Sequence, residues 1–192
     1  LDAARDGRLR EAEANALGGL GLVRRAQGDF GQAEQNHVDA LAISRDIGSR
    51  FSEAQNLGNL GNVYHLQGDL ERAEQSHVEA LAISREIENR LSEAQDLGNL
   101  GSVYGHRGDL DRAERAFTEA LKIFEAIRDR LGEASSLGNL GIVAIDRGDD
   151  DRARDLLKQA TAIYVEIGTG GEGPEKVRDE LARLGCNDDD SD

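Results

Sequence analysis

Apolar and polar positions follow one another along this chain in steps of three and four. Leu70, Ala73, His77, Ala80, Ser84 and Ile87 are spaced in this way. Such spacing puts side chains on one face of a helix, because residues three and four apart stack on the same side. Upstream, Leu57, Leu60, Val63 and Tyr64 form a second face. The pattern predicts two helices meeting at Gly68-Asp69. The glycine can take the left-handed conformation that ends a helix, and the aspartate can accept the free N–H groups of the next first turn. The unit recurs every 40 residues. LGGLG stands at 17–21 and LGNLG at 57–61, 97–101 and 137–141. Gly-Asp pairs recur at 28, 68, 108 and 148, and isoleucines at 47, 87, 127 and 167. First helices are expected to begin after Ser49, Asn89 and Asp129, which are all N-cap residue types. The reading is an all-α fold of four helix-turn-helix repeats, at about 8–47, 48–87, 88–127 and 128–167.

The ends depart from the repeat. Gly168 to Pro174 reads as a glycine-rich breaker. Val177, Leu181 and Leu184 then predict a capping helix over 175–185, with Pro174 suited to a first turn. The acidic tail 186–192 is expected to be disordered. No equivalent cap precedes the first repeat. The LGNLG motif also places two glycines per unit inside a helix, at about 1 kcal/mol each relative to alanine. Close helix–helix approach accounts for the Gly61 register. The Gly58 register admits two readings, mutual packing or close approach of a ligand to bare backbone.

These residues resemble a tetratricopeptide repeat. The matching positions are Leu57, Leu60-Gly61, Tyr64, Gly68, Ala73 and Ala80-Leu81, then Leu97, Leu100-Gly101, Tyr104, Gly108, Ala113, Phe117 and Ala120-Leu121. This unit is longer than the family's common 34-residue form and lacks its proline after the second helix. Its Arg-x-x-Glu-Ala entry (Arg50, Arg90 and Arg130) looks like Pins-type scaffolds and bacterial or archaeal signalling arrays. The resemblance implies an α-solenoid that binds a protein or peptide partner on a concave face lined by its first helices. The positions it implies are Gln55, Gly58, Asn59, Asn62 and His65 in the second repeat, and Gln95, Gly98, Asn99, Ser102 and Gly105 in the third. In the fourth they are Ser135, Gly138, Asn139, Ile142 and Ile145, and in the first Asn15, Gly18, Gly19, Leu22 and Arg25. Asn59, Asn99 and Asn139 make a ladder, broken at Gly19. An Asn amide offers two donors and an acceptor, so it can pair with both peptide groups of an extended chain. The alternative is that these amides bond to neighbouring helices and rigidify the stack. Arg50, Arg90 and Arg130 form a second ladder that could reach partner carboxylates. Salt bridges to Glu53, Glu93, Glu133 or a second-helix end are the favoured alternative.

Composition narrows the classes. The chain holds 38 acidic and 23 basic residues, for a net charge of −15. That charge opposes binding to nucleic acid, where affinity comes from Lys and Arg on phosphates. Only three of the basic residues are Lys, which suggests a salt-adapted or arginine-biased source. No run approaches the roughly 20 apolar residues that span a bilayer. Cys186 cannot pair within the chain. The expected location is cytoplasmic. A chain that opens on Leu1 and holds no Met is expected to be a fragment, a processed product or a sequence with an unread start. His37 and His77 share a register with Phe117 and Leu157 and are read as packing residues. His65 and His106 lie one position out of register without a cysteine partner, so no metal site is expected. The glycine-rich stretch lacks the Gly-Lys-Ser/Thr of a phosphate loop. The expectation is a non-catalytic interaction scaffold without cofactor. The alternatives are head-to-tail self-assembly through end stacking, or a regulatory segment of a larger signalling protein.

Overall fold

A computed structural model describes residues 2–185, with side chains from Gly7 onward except Glu172. Among the described residues there are nine α-helices and no strand. They are α1 (Asp2–Ala26), α2 (Phe30–Asp46), α3 (Arg50–Gln67), α4 (Leu70–Glu86), α5 (Arg90–His106), α6 (Leu110–Ile127), α7 (Arg130–Asp146), α8 (Asp150–Glu166) and α9 (Glu172–Arg183). The chain divides into two compact units, Leu1–Asn99 and Leu100–Asp192, with the boundary inside α5. In the first unit α1 packs on α2, α2 on α3 and α3 on α4, and α1 also reaches α3. In the second, α6 packs on α7, α7 on α8 and α8 on α9, and α7 also reaches α9. The tail 186–192, with Cys186, lies outside the described residues.

The Gly-Asp turns form as the sequence implies. Asp29, Asp69, Asp109 and Asp149 accept the backbone N–H of Gln32, Arg72, Arg112 and Arg152. Gly68 is left-handed at φ 80°, and the N–H of Asp69 donates to the Tyr64 carbonyl at 2.9 Å. That pairing satisfies a carbonyl the helix end would otherwise leave open. The turn after each second helix closes in the same way. Ser49, Asn89 and Asp129 donate to the carbonyls of Ser44, Ser84 and Phe124. The left-handed residue there is Gly48, Glu88, Arg128 or Gly168, so two of the four carry a side chain. Asn89 and Asp129 cap their helices through the N–H of Ser92 and Gly132. Ser49 differs, donating its hydroxyl to Ser52 Oγ instead.

Each helix pair is set by one glycine and one bulky residue sixteen positions on. A Cβ at Gly61 would stand 2.6 Å from the His77 ring. The same holds for Gly21 against His37, Gly101 against Phe117 and Gly141 against Leu157, at 2.5, 2.7 and 2.7 Å. All four bulky residues are at most 3% exposed. His37 and His77 are therefore packing residues, and the helix cost of the glycine is offset by burying a large side chain on bare backbone.

The last helix starts at Glu172, earlier than the expected 175, which puts Pro174 in its first turn and shortens the breaker to 168–171. Val177 and Leu181 bury against Ala134, Leu137, Leu157, Ala160, Ile163 and Tyr164. A Cβ at Gly138 would meet Val177 at 2.9 Å, as one at Gly18 would meet Asn56 at 3.2 Å. Helix α9 thus stands to α7 as α3 stands to α1.

Left-handed backbone costs a residue with a side chain roughly 1–2 kcal/mol. Glu88→Gly and Arg128→Gly should each stabilise the protein by about 0.5–1 kcal/mol after the extra chain entropy of glycine is counted. The readout is the urea midpoint at unchanged m-value. A lowered midpoint would mean these residues are not left-handed in solution.

Candidate functional site

The first unit holds a cavity of about 210 Å³ between first-helix faces. Helix α3 supplies Phe51, Ala54, Gln55, Gly58, Asn59 and Asn62 to its lining, α5 supplies Ser92, Gln95, Asp96 and Asn99, and α1 supplies Leu22. The structure therefore brings together seven of the positions expected in a binding face: Leu22, Gln55, Gly58, Asn59, Asn62, Gln95 and Asn99. The buried apolar residues Leu57, Leu60, Leu97 and Leu100 fix the rotation of these helices and turn the amides away from the second helices. Asn59 and Asn99 are half-buried, and among the described residues their side chains make no hydrogen bond. The reading in which they rigidify the stack has no bond to rest on.

Asp96 belongs to the cavity and was not among the expected residues. It is 6% exposed. Its Oδ2 accepts the Ser84 hydroxyl at 3.0 Å, and its Oδ1 lies 4.0 Å from His77 Nδ1, too far for a hydrogen bond. Burial is the main cause that pushes the Asp96 carboxyl up to about 7, against the Ser84 bond, which lowers it. Burial also pulls His77 down to about 4, assisted by His65. One repeat earlier Asn56 fills this register. Its Oδ1 lies 3.3 Å from His37 Nδ1, and its Nδ2 donates to the Ser52 carbonyl at 2.9 Å. The signal that finds Asp96 in the sequence is the register itself, which reads Asn56, Asp96, Ser136. Gly58 serves this residue, because a Cβ there would lie 3.3 Å from Asp96 Oδ1.

The second unit has a cavity of its own, of about 180 Å³. The expected residues Ser102, Asn139 and Ile142 line it, with Gly105. Phe117 and Val143 add apolar surface, and His106, Asp146 and Lys176 add charge or polarity. Lys176 comes from α9, which the sequence marks only as a cap. Asn139 is half-buried.

The arginine ladder is engaged within the chain. Arg50 bonds Glu53 at 2.6 Å and also Glu86. Arg90 pairs with Glu93, and Arg130 pairs with Glu133 and Glu166. Burial works against ionised Glu53, but hydrogen bonds from Arg45 and Arg50 hold its carboxyl below the ordinary range. These pairs are the salt-bridge alternative weighed for the ladder. Among the described residues no group of three or more His, Cys, Asp or Glu could hold a metal ion, and no helix is long and apolar enough to cross a membrane.

Comparison places this geometry. The family model described as tetratricopeptide repeat matches residues 12–86, 52–126 and 92–164. No curated protein matches the chain. Among solved structures, the chain is similar to BtubC (BKLC) from P. vanneervenii, with a TM-score of 0.82 and 24% identity, covering 95% of this chain and 75% of that one. It is also similar to a Rap protein solved in complex with Competence and Sporulation Factor, with a TM-score of 0.79 and 17% identity over 90% of this chain and 48% of that one. A third likeness is to a Signal Transduction ATPase with Numerous Domains, bearing a tetratricopeptide repeat sensor, from Pyrococcus horikoshii. There the TM-score is 0.75 and identity 16%, over 91% of this chain and 26% of that one. At these identities the likeness concerns the fold, an all-α array of helix-turn-helix repeats.

The Asp96–His77 pair has a signature in stability. Asp96 titrates near 7 when folded and at 3.8 ordinarily, so its stabilising contribution is present below about 4 and lost as pH rises to about 7. His77, near 4 instead of 6.5, has the opposite slope and offsets it in the native protein. In Asp96→Asn only the His77 slope remains. The stability of the variant minus that of the native protein should therefore grow between pH 4 and 7 and level off above, by at least about 1 kcal/mol. Urea midpoints across that range provide the measurement, and parallel profiles would show that Asp96 titrates normally.

Proposed function

The chain belongs to the tetratricopeptide repeat family, and from that premise we propose that it is a non-catalytic protein-interaction module. It holds an extended partner segment against its first helices. The observation that carries this reading is the unbonded, half-buried amides of Asn59 and Asn99 at the wall of one cavity. Each amide is partly exposed, so its donor and acceptor are left to water and are open to exchange for those of a ligand. A peptide backbone supplies the donor and acceptor that each amide lacks. Gln55, Asn62 and Gln95 add further groups of the same kind, and the cavity of Ser102, Asn139 and Ile142 offers the second unit a mixed polar and apolar subsite. The Rap protein of similar fold, solved with Competence and Sporulation Factor, supports a ligand-holding use of such repeats. The arginines are left out of this reading because their carboxylate partners lie within the chain.

A second reading, self-association, draws on α1. Leu9, Leu20 and Val23 are 61%, 51% and 53% exposed there. Stacking of another copy would cover them. Light-scattering mass over a wide concentration range decides it: a constant monomer mass rules this reading out, and a growing mass that Leu20→Glu abolishes supports it.

The test of the main reading is selection of a random-peptide display library on the native protein and on the double variant Asn59→Ala, Asn99→Ala. The native protein should enrich peptides, and the variant should bind those peptides at least about tenfold more weakly at unchanged helicity, from two lost hydrogen-bonding side chains. Equal binding by the variant would remove the amides from the site.

A further inference from the structure

The cavity of the first unit is built around a carboxylate, and the neighbouring register shows that packing does not require one. Asn56 and Asp96 stand at equivalent positions, one repeat apart. Asn56 bonds the Ser52 carbonyl and lies within hydrogen-bond distance of His37. Asp96 makes neither contact, and both ring nitrogens of His77 are left without a partner. Ser44 bonds its own helix at the Ala40 carbonyl, whereas the equivalent Ser84 is turned toward Asp96. The chain thus gives up local hydrogen bonds to hold an acid where an amide fits, and such local conflicts mark functional positions.

We propose that this cavity is a specificity pocket for a cationic side chain of the bound segment, a guanidinium above all, with Asp96 as its counter-ion. The inference rests on the reading that a segment lies along the first helices. Asp96 Oδ1 accepts no hydrogen bond among the described residues and faces the bare backbone of Gly58 in the cavity lining. Among the described residues no Lys or Arg is paired with it. The ring of His77 is kept neutral by burial, and Arg50, Arg85 and Arg90 are held by Glu53, Glu86 and Glu93. The amide oxygens of Gln55, Asn59, Gln95 and Asn99 line the same space and can accept the remaining guanidinium N–H groups. Phe51 and Leu22, 54% and 40% exposed, offer apolar surface to the methylene stem. Burial holds the acid toward its neutral form, whereas an entering cation favours the carboxylate and pairs with it. The net charge of −15 draws basic segments toward the chain in the same sense.

The test uses two blocked tripeptides that differ only in charge, acetyl-Ala-Arg-Ala-amide and its citrulline analogue. Each is titrated into isotopically labelled full-length protein while the side-chain amide signals of Asn59 and Asn99 are followed by NMR. The arginine peptide should shift these signals saturably and bind at least about tenfold more tightly than citrulline, the scale of one charge-assisted hydrogen bond. In Asp96→Asn, whose fold is safeguarded by the Asn56 precedent, the two peptides should bind alike. Equal binding of the two by the native protein overturns the proposal, and so does an arginine preference that survives in Asp96→Asn. Absence of any shift overturns it as well, and leaves the extended-segment reading to be judged by the display selection alone.

Discussion

The structure depends on the contact between a bare stretch of first-helix backbone and a bulky residue sixteen positions later. A Cβ at Gly61 would fall inside the His77 ring's contact distance, and the same is true of the other three repeats. The space freed by the missing Cβ lets a ring or a leucine bury to at most 3% exposure. That burial draws the two helices close enough for Leu57, Leu60 and Val63 to be buried too. The rotation of each first helix follows, and with it the direction in which its amides point. The direction of the Asn59 side chain is thus a by-product of a packing rule at Gly61.

That rule was legible in the sequence because it repeats. The 40-residue period, the Gly-Asp turns and the shared register of His37, His77, Phe117 and Leu157 define the helices and their inner faces without coordinates. After the second helices the helix starts at Ser49, Asn89 and Asp129 were legible too, but the left-handed position was not, because it holds Glu88 and Arg128 as well as glycine. There the hydrogen-bond pattern of the helix end overrides residue preference. The start of α9 was placed three residues late because the glycines before Pro174 read as a breaker, although Pro174 itself was read as fit for a first turn, where a proline loses no helical hydrogen bond. Asp96 was missed for a different reason. On a helix rich in polar residues, one more acid carries no signal, and only its burial distinguishes it.

The charge pattern has two layers. Exposed acids and arginines pair along the helix ends, and these pairs leave the arginine ladder internally neutralised. Beneath them Asp96 and His77 sit buried without a full partner, each held toward its uncharged form. The first layer joins neighbouring helices at the surface, as Arg50 does with Glu86. The second puts a dormant charge at the floor of a cavity, available when a ligand supplies its complement.

The Arg72–Glu34 and Arg152–Glu114 bonds join residues 38 apart, and the Ser84–Asp96 bond joins residues 12 apart. Closing such loops costs little chain entropy, and the cost grows only logarithmically with length. Within each unit order can therefore begin at one helix pair and spread to its neighbour. The kinetic counterpart of a repeated glycine is a folding reaction with several equivalent starting points, in which damage to one repeat removes a starting point and leaves the others available.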